Sequence, residues 1–229
     1  MSTIEEKYGI AFPTEDHRRF VSLMEEICRC LSIPAFIKGS LSKGTAMKHS
    51  DIDLILVGVD DSKQFDRIAG SFEEVLLSEH FTTTSTYMIV YEHGLSVEFD
   101  LRRTITENDL AKSIILNSAA IDISNKYRDR IDIDSAVCPK REARYSQLMI
   151  AQMCCAKLLC NKPALARDIF CDRMEQLHQS ARFDNVRSMI QSETQEEFVD
   201  RLKQTVLLSN PSSQKVLSYF EGLFKEIGA

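Results

Sequence analysis

The chain has 229 residues, 44% hydrophobic and 27% charged, which suits one large globular domain or two small ones, each with its own core. Lys+Arg total 28 against Asp+Glu 34, and the formal net charge of −6 argues against an extended nucleic-acid-coating surface, which needs clustered Lys and Arg. No run of about eighteen apolar residues is present to span a membrane, and the acidic start MSTIEEKYGI lacks the apolar stretch of a secretory signal.

The seven cysteines (Cys28, Cys30, Cys138, Cys154, Cys155, Cys160 and Cys171) are odd in number and lack the C-x-x-C spacing of a zinc knuckle. They read as small buried apolar residues of a reduced, cytoplasmic protein.

Thr14 is placed to cap a helix whose first turn is acidic, and Phe20, Val21, Met24, Ile27, Cys28 and Leu31 give it one apolar face. Residues 35–37 read as a short strand, 39–50 as a glycine-containing loop, and 52–57 as a buried strand. Residues 62–79 read as a helix on the spacing of Phe65, Ile68, Phe72 and Val75. Strands over 87–92 and 95–101 are joined at His93-Gly94, and a helix is expected over 106–116. After Pro139 the β-branched runs stop, and helices are expected over 145–159, 164–179, 194–208 and 212–227, with a polar break around 182–184. The pattern predicts an α+β fold. A mixed sheet flanked by helices fills residues 1–138, and a helical bundle fills 139–229.

Asp51 and Asp53 stand at i and i+2 on the strand that begins near Ile52, so they point to one face. Two carboxylates beside an apolar strand are costly unless a cation sits between them, and Mg²⁺ or Mn²⁺ suits oxygen donors of this kind. Gly39-Ser40 lies ahead of them, where glycine permits close backbone approach and amides with a hydroxyl can take phosphate oxygens. Lys43 and Thr45 are in reach from the same loop. A third carboxylate is expected from the strand holding Glu98 and Asp100, which share a face. With Asp51 and Asp53 bridging two ions and Asp100 on the nucleophile side, the set suits metal-assisted phosphoryl chemistry. Glu98 reads as a surface or supporting acid.

Gly39-Ser40, the segment Ser50-Asp51-Ile52-Asp53-Leu54 and Glu98-Phe99-Asp100 together resemble the DNA polymerase β-like nucleotidyltransferase superfamily. Residues 39–45, Gly-Ser-Leu-Ser-Lys-Gly-Thr, are similar to the loop of oligoadenylate synthases, bacterial cyclic-oligonucleotide synthases and archaeal CCA-adding enzymes. The resemblance covers roughly residues 34–101. It implies a mixed sheet flanked by helices, and transfer of a nucleoside monophosphate from an NTP, ATP first among them, to an acceptor hydroxyl with release of pyrophosphate. It leaves the acceptor open. In the helical half, Ala156-Lys157-Leu158-Leu159 and Arg167-Asp168-Ile169-Phe170 are similar to motifs of AbiEii-type nucleotidyltransferase toxins, which would make Lys157 a phosphate ligand.

Weaker signals are Arg173 and His178, at the spacing of a HEPN ribonuclease motif; His49, a loop histidine beside the acids; and Tyr87 and Tyr91, whose rings suit either base stacking or core packing. A non-catalytic nucleotide-binding or antitoxin-type partner module on the same fold is the alternative function.

Overall fold

The structure, a computed structural model, describes residues 4–82, 84–119, 121–124, 129–140, 143–178 and 183–228. The chain forms two compact units, Met1–Lys140 and Arg141–Ala229.

The first unit is built from α1 (Ile4–Tyr8), α2 (Glu15–Cys30), β1 (Ala35–Lys38), α3 (Gly39–Ser42), β2 (Ile52–Val57), α4 (Ser62–Ala69), β3 (Val75–Phe81), β4 (Thr86–Tyr91), β5 (Ser96–Arg102), α5 (Glu107–Lys112) and β6 (Ile114–Asn117). The strands make one six-stranded sheet in the order β3-β4-β5-β2-β1-β6. Only β2 and β5 run parallel; every other neighbouring pair is antiparallel, so the sheet is mixed as expected.

The two faces of this sheet differ. Ala35, Ile37, Ile52, Leu54, Leu56, Tyr87, Ile89, Val97, Phe99 and Leu101 form one core with Phe20, Val21 and Met24 of α2 and Phe65 and Ile68 of α4. Strand alternation sends the intervening residues to the other face, where Phe36, Ile55 and Val57 pack against Ile105. The charged residues of β1, β2 and β5 (Lys38, Asp53, Glu98, Asp100 and Arg102) share that second face.

Local chemistry starts these helices, at Thr14 as expected and at Asp61 by a cap that was not expected. Thr14 accepts the His17 amide at the start of α2, and Asp61 accepts the Lys63 and Gln64 amides at 3.2 and 3.3 Å to start α4. Helix α4 stops at Ala69, however, and 75–81 is an edge strand, not the last turns of a helix. Gly70 is its C-cap, and its amide bonds the Asp66 carbonyl at 2.9 Å. The apparent helical spacing through Phe72 and Val75 is coincidence across this break. The helix expected over 106–116 likewise ends at Lys112, and 114–117 joins the sheet beside β1, with Asn117 Nδ2 donating to the carbonyls of Cys28 and Ile33 at 3.0 and 2.7 Å.

The second unit contains α6 (Ala143–Leu159), α7 (Pro163–His178), α8 (Phe183–Ser192), α9 (Gln195–Leu208) and α10 (Gln214–Ile227). Helix α6 packs on α7, α9 and α10. Helix α8 was not expected; it begins within the polar stretch read as a break, whose residues 179–182 lie outside the described residues. Thr194 and Glu197 form a reciprocal capping box at the start of α9, at 3.2 and 2.8 Å. No described helix is long and apolar enough to cross a membrane.

All seven cysteines are free; Cys30 is exposed and the other six are buried. Burial pushes the Cys28 and Cys155 thiols up to about 12, which suits packing and not thiolate chemistry.

Candidate active site

Strand β1 delivers Lys38 and then turns sharply at Gly39, whose φ of +76° is a left-handed conformation that glycine adopts without strain. The turn is tied within itself. The Thr45 amide donates to the Ser40 carbonyl at 3.0 Å, and the Ser42 hydroxyl donates to the carbonyls of Gly39 and Lys112, both at 3.2 Å. Lys43 is exposed and Ser40 half-buried.

The return to β2 is held by a residue the sequence reading passed over. His17, buried in α2, places Nε2 at 2.9 Å from the Ser50 carbonyl and Nδ1 at 2.7 Å from the Thr14 hydroxyl. A neutral ring donates from Nε2 and accepts at Nδ1. Burial lowers its affinity for a proton, against the pull of the Ser50 carbonyl and of Asp16 and Asp51. The available signal was its place three residues after the capping Thr14, on the helix that flanks the loop. The Ser50 hydroxyl in turn accepts the Met47 amide at 2.9 Å.

Asp51 is the residue before β2, and Asp53 lies within it; both are half-buried. Asp53 and Gly39 are brought into direct contact. A Cβ added at Gly39 would lie 1.7 Å from Asp53 Oδ2. Across the sheet, Asp53 pairs in register with Lys38 on β1 and with Glu98 on β5.

Asp100 lies one step deeper, opposite Ile55, and is fully buried. Its Oδ2 receives Lys38 Nζ at 3.1 Å and the Arg102 guanidinium, while Arg130 Nε stands 3.2 Å from Oδ1. Arg102 also reaches Asp109 Oδ2 at 2.6 Å, where the Thr106 hydroxyl donates at 2.7 Å. Burial alone would raise the Asp100 pKa. The Arg102 hydrogen bond and the charges of Lys38, Arg102 and Arg130 outweigh it and hold the carboxyl below its usual range. Glu98 moves the other way: burial raises it, and Asp51 and Asp100 add to the rise against the opposing Lys38 and Arg130.

By donor chemistry Asp51 and Asp53 fit a hard divalent cation, being carboxylates on one side of a strand end. Asp100 Oδ2 is taken by Lys38 and Arg102, whereas Oδ1, 3.2 Å from Arg130 Nε, is buried without a hydrogen-bond partner among the described residues. Among the described residues no three His, Cys, Asp or Glu side chains converge closely enough to hold a metal ion.

The remaining candidates fall elsewhere. Tyr87 and Tyr91 are fully buried on the helix-covered face, with their hydroxyls donating to the carbonyls of Ile133 at 3.1 Å and Ala69 at 2.7 Å, so they pack the core and are not a stacking platform. Lys157 is half-buried on α6 of the second unit, between buried Ala156 and Leu158. Arg173 hydrogen-bonds Gln176 within α7 at 3.4 Å, and the His178 side chain lies outside the described residues. His49 is half-buried in the loop before Asp51.

No protein-family model matches the sequence, and no curated protein matches it. Several solved structures are similar to the chain, among them the following three. A CCA-adding enzyme in complex with CTP is 13% identical over 94% of this chain and 57% of its own, with a TM-score of 0.35. The Thermotoga maritima CCA-adding enzyme complexed with tRNA is 15% identical over 86% of this chain and 52% of its own, again at 0.35. An aminoglycoside 6-adenyltransferase from Bacillus subtilis is 14% identical over 94% of this chain and 90% of its own, at 0.29. The chain spans about half the length of the CCA-adding enzymes. Likenesses this distant assign neither family nor activity to this chain.

Proposed function

We propose that the chain is a metal-dependent nucleotidyltransferase that moves a nucleoside monophosphate from an NTP to an acceptor hydroxyl. The hydroxyl oxygen bonds the α-phosphorus, the bridging P–O bond to the β-phosphate breaks, and pyrophosphate leaves with the electron pair. The observation that carries this reading is the seating of the Asp53 carboxylate directly on Gly39. It joins a glycine-serine turn to a pair of acids separated from it by more than ten residues, the two halves of a site for a triphosphate and its cation.

In this reading Gly39, Ser40 and Lys43 bind and orient the phosphates; Lys157 is carried only as the phosphate ligand that the AbiEii-like motif implies. Asp51, Asp53 and Asp100 hold the cation. Bound there, Mg²⁺ or Mn²⁺ neutralises charge on the triphosphate and on the departing pyrophosphate. ATP is the first nucleotide to try, and the acceptor is a small molecule, another nucleotide, an RNA end or a protein side chain. A reducing, cytoplasmic setting suits the free cysteines.

The test is pyrophosphate release from labelled NTPs with Mg²⁺ or Mn²⁺. Wild type is expected to turn over and Asp51→Asn and Asp53→Asn to be inactive but folded; activity in either variant sinks the mechanism. A second reading, a non-catalytic nucleotide-binding or antitoxin-type partner module, is favoured by one observation: the acids do not converge on a metal position among the described residues. Tight NTP binding without turnover for any acceptor supports that second reading.

A further inference from the structure

The Gly39–Ser42 turn is also held from outside, by α5. The Ser42 hydroxyl has one proton and stands between two carbonyls, that of Gly39 within the turn and that of Lys112 at the end of α5, at 3.2 Å from each. Strand register brings Lys112 there. Strand β6 runs antiparallel to β1 with Ile114 opposite Ile37, and the same register carried past the strand ends sets Lys112 across from Gly39. The first turn of α5 is tied to the charged face of the sheet. Asp109 Oδ2 accepts Arg102 at 2.6 Å and the Thr106 hydroxyl at 2.7 Å, and the Asp109 amide donates back to Thr106 Oγ1 at 3.1 Å. Arg102 also donates to Asp100 Oδ2, which takes Lys38 Nζ at 3.1 Å, and Lys38 is the residue before Gly39. These contacts close a ring from the turn through α5 and the sheet and back to the turn. Helix α5 has six residues, none of them fully buried. A helix this short does not hold its shape alone, so its position depends on the ties at its two ends.

We propose that Asp109 and Ser42 are positioning residues: Asp109 anchors α5 to Arg102, and α5 holds the Gly39–Ser42 turn through the Ser42–Lys112 hydrogen bond in the shape that receives a triphosphate. This rests on the nucleotidyltransferase reading of the turn. Asp109 acts through the helix and Ser42 through two backbone carbonyls, so their task is to fix the turn and not to contact the nucleotide.

The experiment measures hydrogen exchange of the full-length protein on peptides covering 39–45 and 107–113, and titrates the same samples with ATP and Mg²⁺ by calorimetry. Asp109→Asn is expected to speed exchange in 39–45 by about fivefold to tenfold, the restraint of roughly one hydrogen bond, with exchange in α2 unchanged. Coupling is reciprocal, so Ser42→Ala should speed exchange in 107–113 although Asp109 is intact. The double variant should exchange in 39–45 within about twofold of Ser42→Ala, because both residues act through one connection. ATP binding should weaken by about fivefold or more in Asp109→Asn. Wild-type exchange in 39–45 for Asp109→Asn overturns the proposal, and so do effects that multiply in the double variant. Wild-type exchange in 107–113 for Ser42→Ala overturns it whether or not Asp109→Asn folds. Unchanged ATP binding in an Asp109→Asn protein with a loosened turn overturns the positioning role and leaves the nucleotidyltransferase reading standing. A wild type that binds no ATP removes that reading itself, and the positioning role falls with it.

Discussion

The Asp53 carboxylate occupies the space where a side chain at Gly39 would begin. An added Cβ would stand 1.7 Å from Oδ2 and 2.8 Å from Cγ, on a residue whose φ is already +76°. Glycine is therefore required twice at this position, for the backbone turn and for the acid that rests on it. Gly39→Ala is expected to destabilise the protein by about 2 kcal/mol or more, from left-handed strain plus the displaced carboxylate. NTP turnover should fall by about a hundredfold or more, since misplacing a positioned group by an ångström costs that much. Thermal melts and initial rates on Gly39→Ala test this; wild-type values for both would contradict the contact.

Arg102 is the hinge of the ion-pair cluster, bonded to Asp100 on one side and Asp109 on the other. Arg102→Met leaves Asp100 buried with fewer partners and is expected to cost about 3–5 kcal/mol, read from urea denaturation. The same cluster sets an acid limit. Because Asp100 and Asp109 are both held below their ordinary values, the unfolded chain binds more protons than the folded one as pH drops. The stability they contribute is fully present above the ordinary aspartate value of 3.8 and is lost as pH falls through the lower folded values. Stability measured from neutral pH downward should therefore drop in that window in wild type, and less steeply in Arg102→Met.

Glu98 predicts the opposite slope. Its folded pKa is raised, first by burial and then by the charges of Asp51 and Asp100. Its stabilising contribution is present below the unfolded value and lost as pH rises through the folded one, so at neutral pH the ionised side chain costs stability. Metal-free Glu98→Gln is expected to match wild type in acid and to melt higher at neutral pH. Paired melting curves across pH check the sign, and a variant that melts lower than wild type at pH 7 would refute it.

Much of the first unit was legible because its signals are local. The Thr14 cap, the buried run of β2 and the turn at Gly94, with φ of +89°, all come from chemistry within a few residues. Strand β3 was hidden because Val75, Leu76 and Leu77 extend the helical spacing of α4 past Gly70. Its polar residues Ser78, Glu79 and His80 are buried, which no alternation reveals. Strand β6 is four residues long and owes its form to pairing with β1, a partner far away in sequence. At the site, the i, i+2 spacing of Asp51 and Asp53 was readable, but the seating of Asp53 on Gly39 was not. Nor was the register: whether Glu98 or Asp100 faces Asp53 depends on how β2 and β5 align, and spacing along one strand carries no information about that.

His17 ties the loop before β2 to α2, and its ring should make that loop sensitive to mild acid. Burial lowers its pKa below the ordinary 6.5, so the neutral form is the native one, donating from Nε2 to the Ser50 carbonyl and accepting at Nδ1 from Thr14. A lowered histidine pKa means the unfolded chain takes up the proton first. Stability is thus fully present above 6.5 and declines as pH falls through the folded value. Wild type is expected to lose stability as pH falls below 6.5, a direction shared by His80, whose proton affinity burial also lowers. His17→Gln, which cannot take up a proton, should flatten that part of the profile while costing about 1–2 kcal/mol at pH 7 for the imperfectly replaced buried hydrogen bonds. Parallel urea titrations at closely spaced pH values measure both effects, and a wild-type slope that survives in His17→Gln would assign the pH dependence to another group.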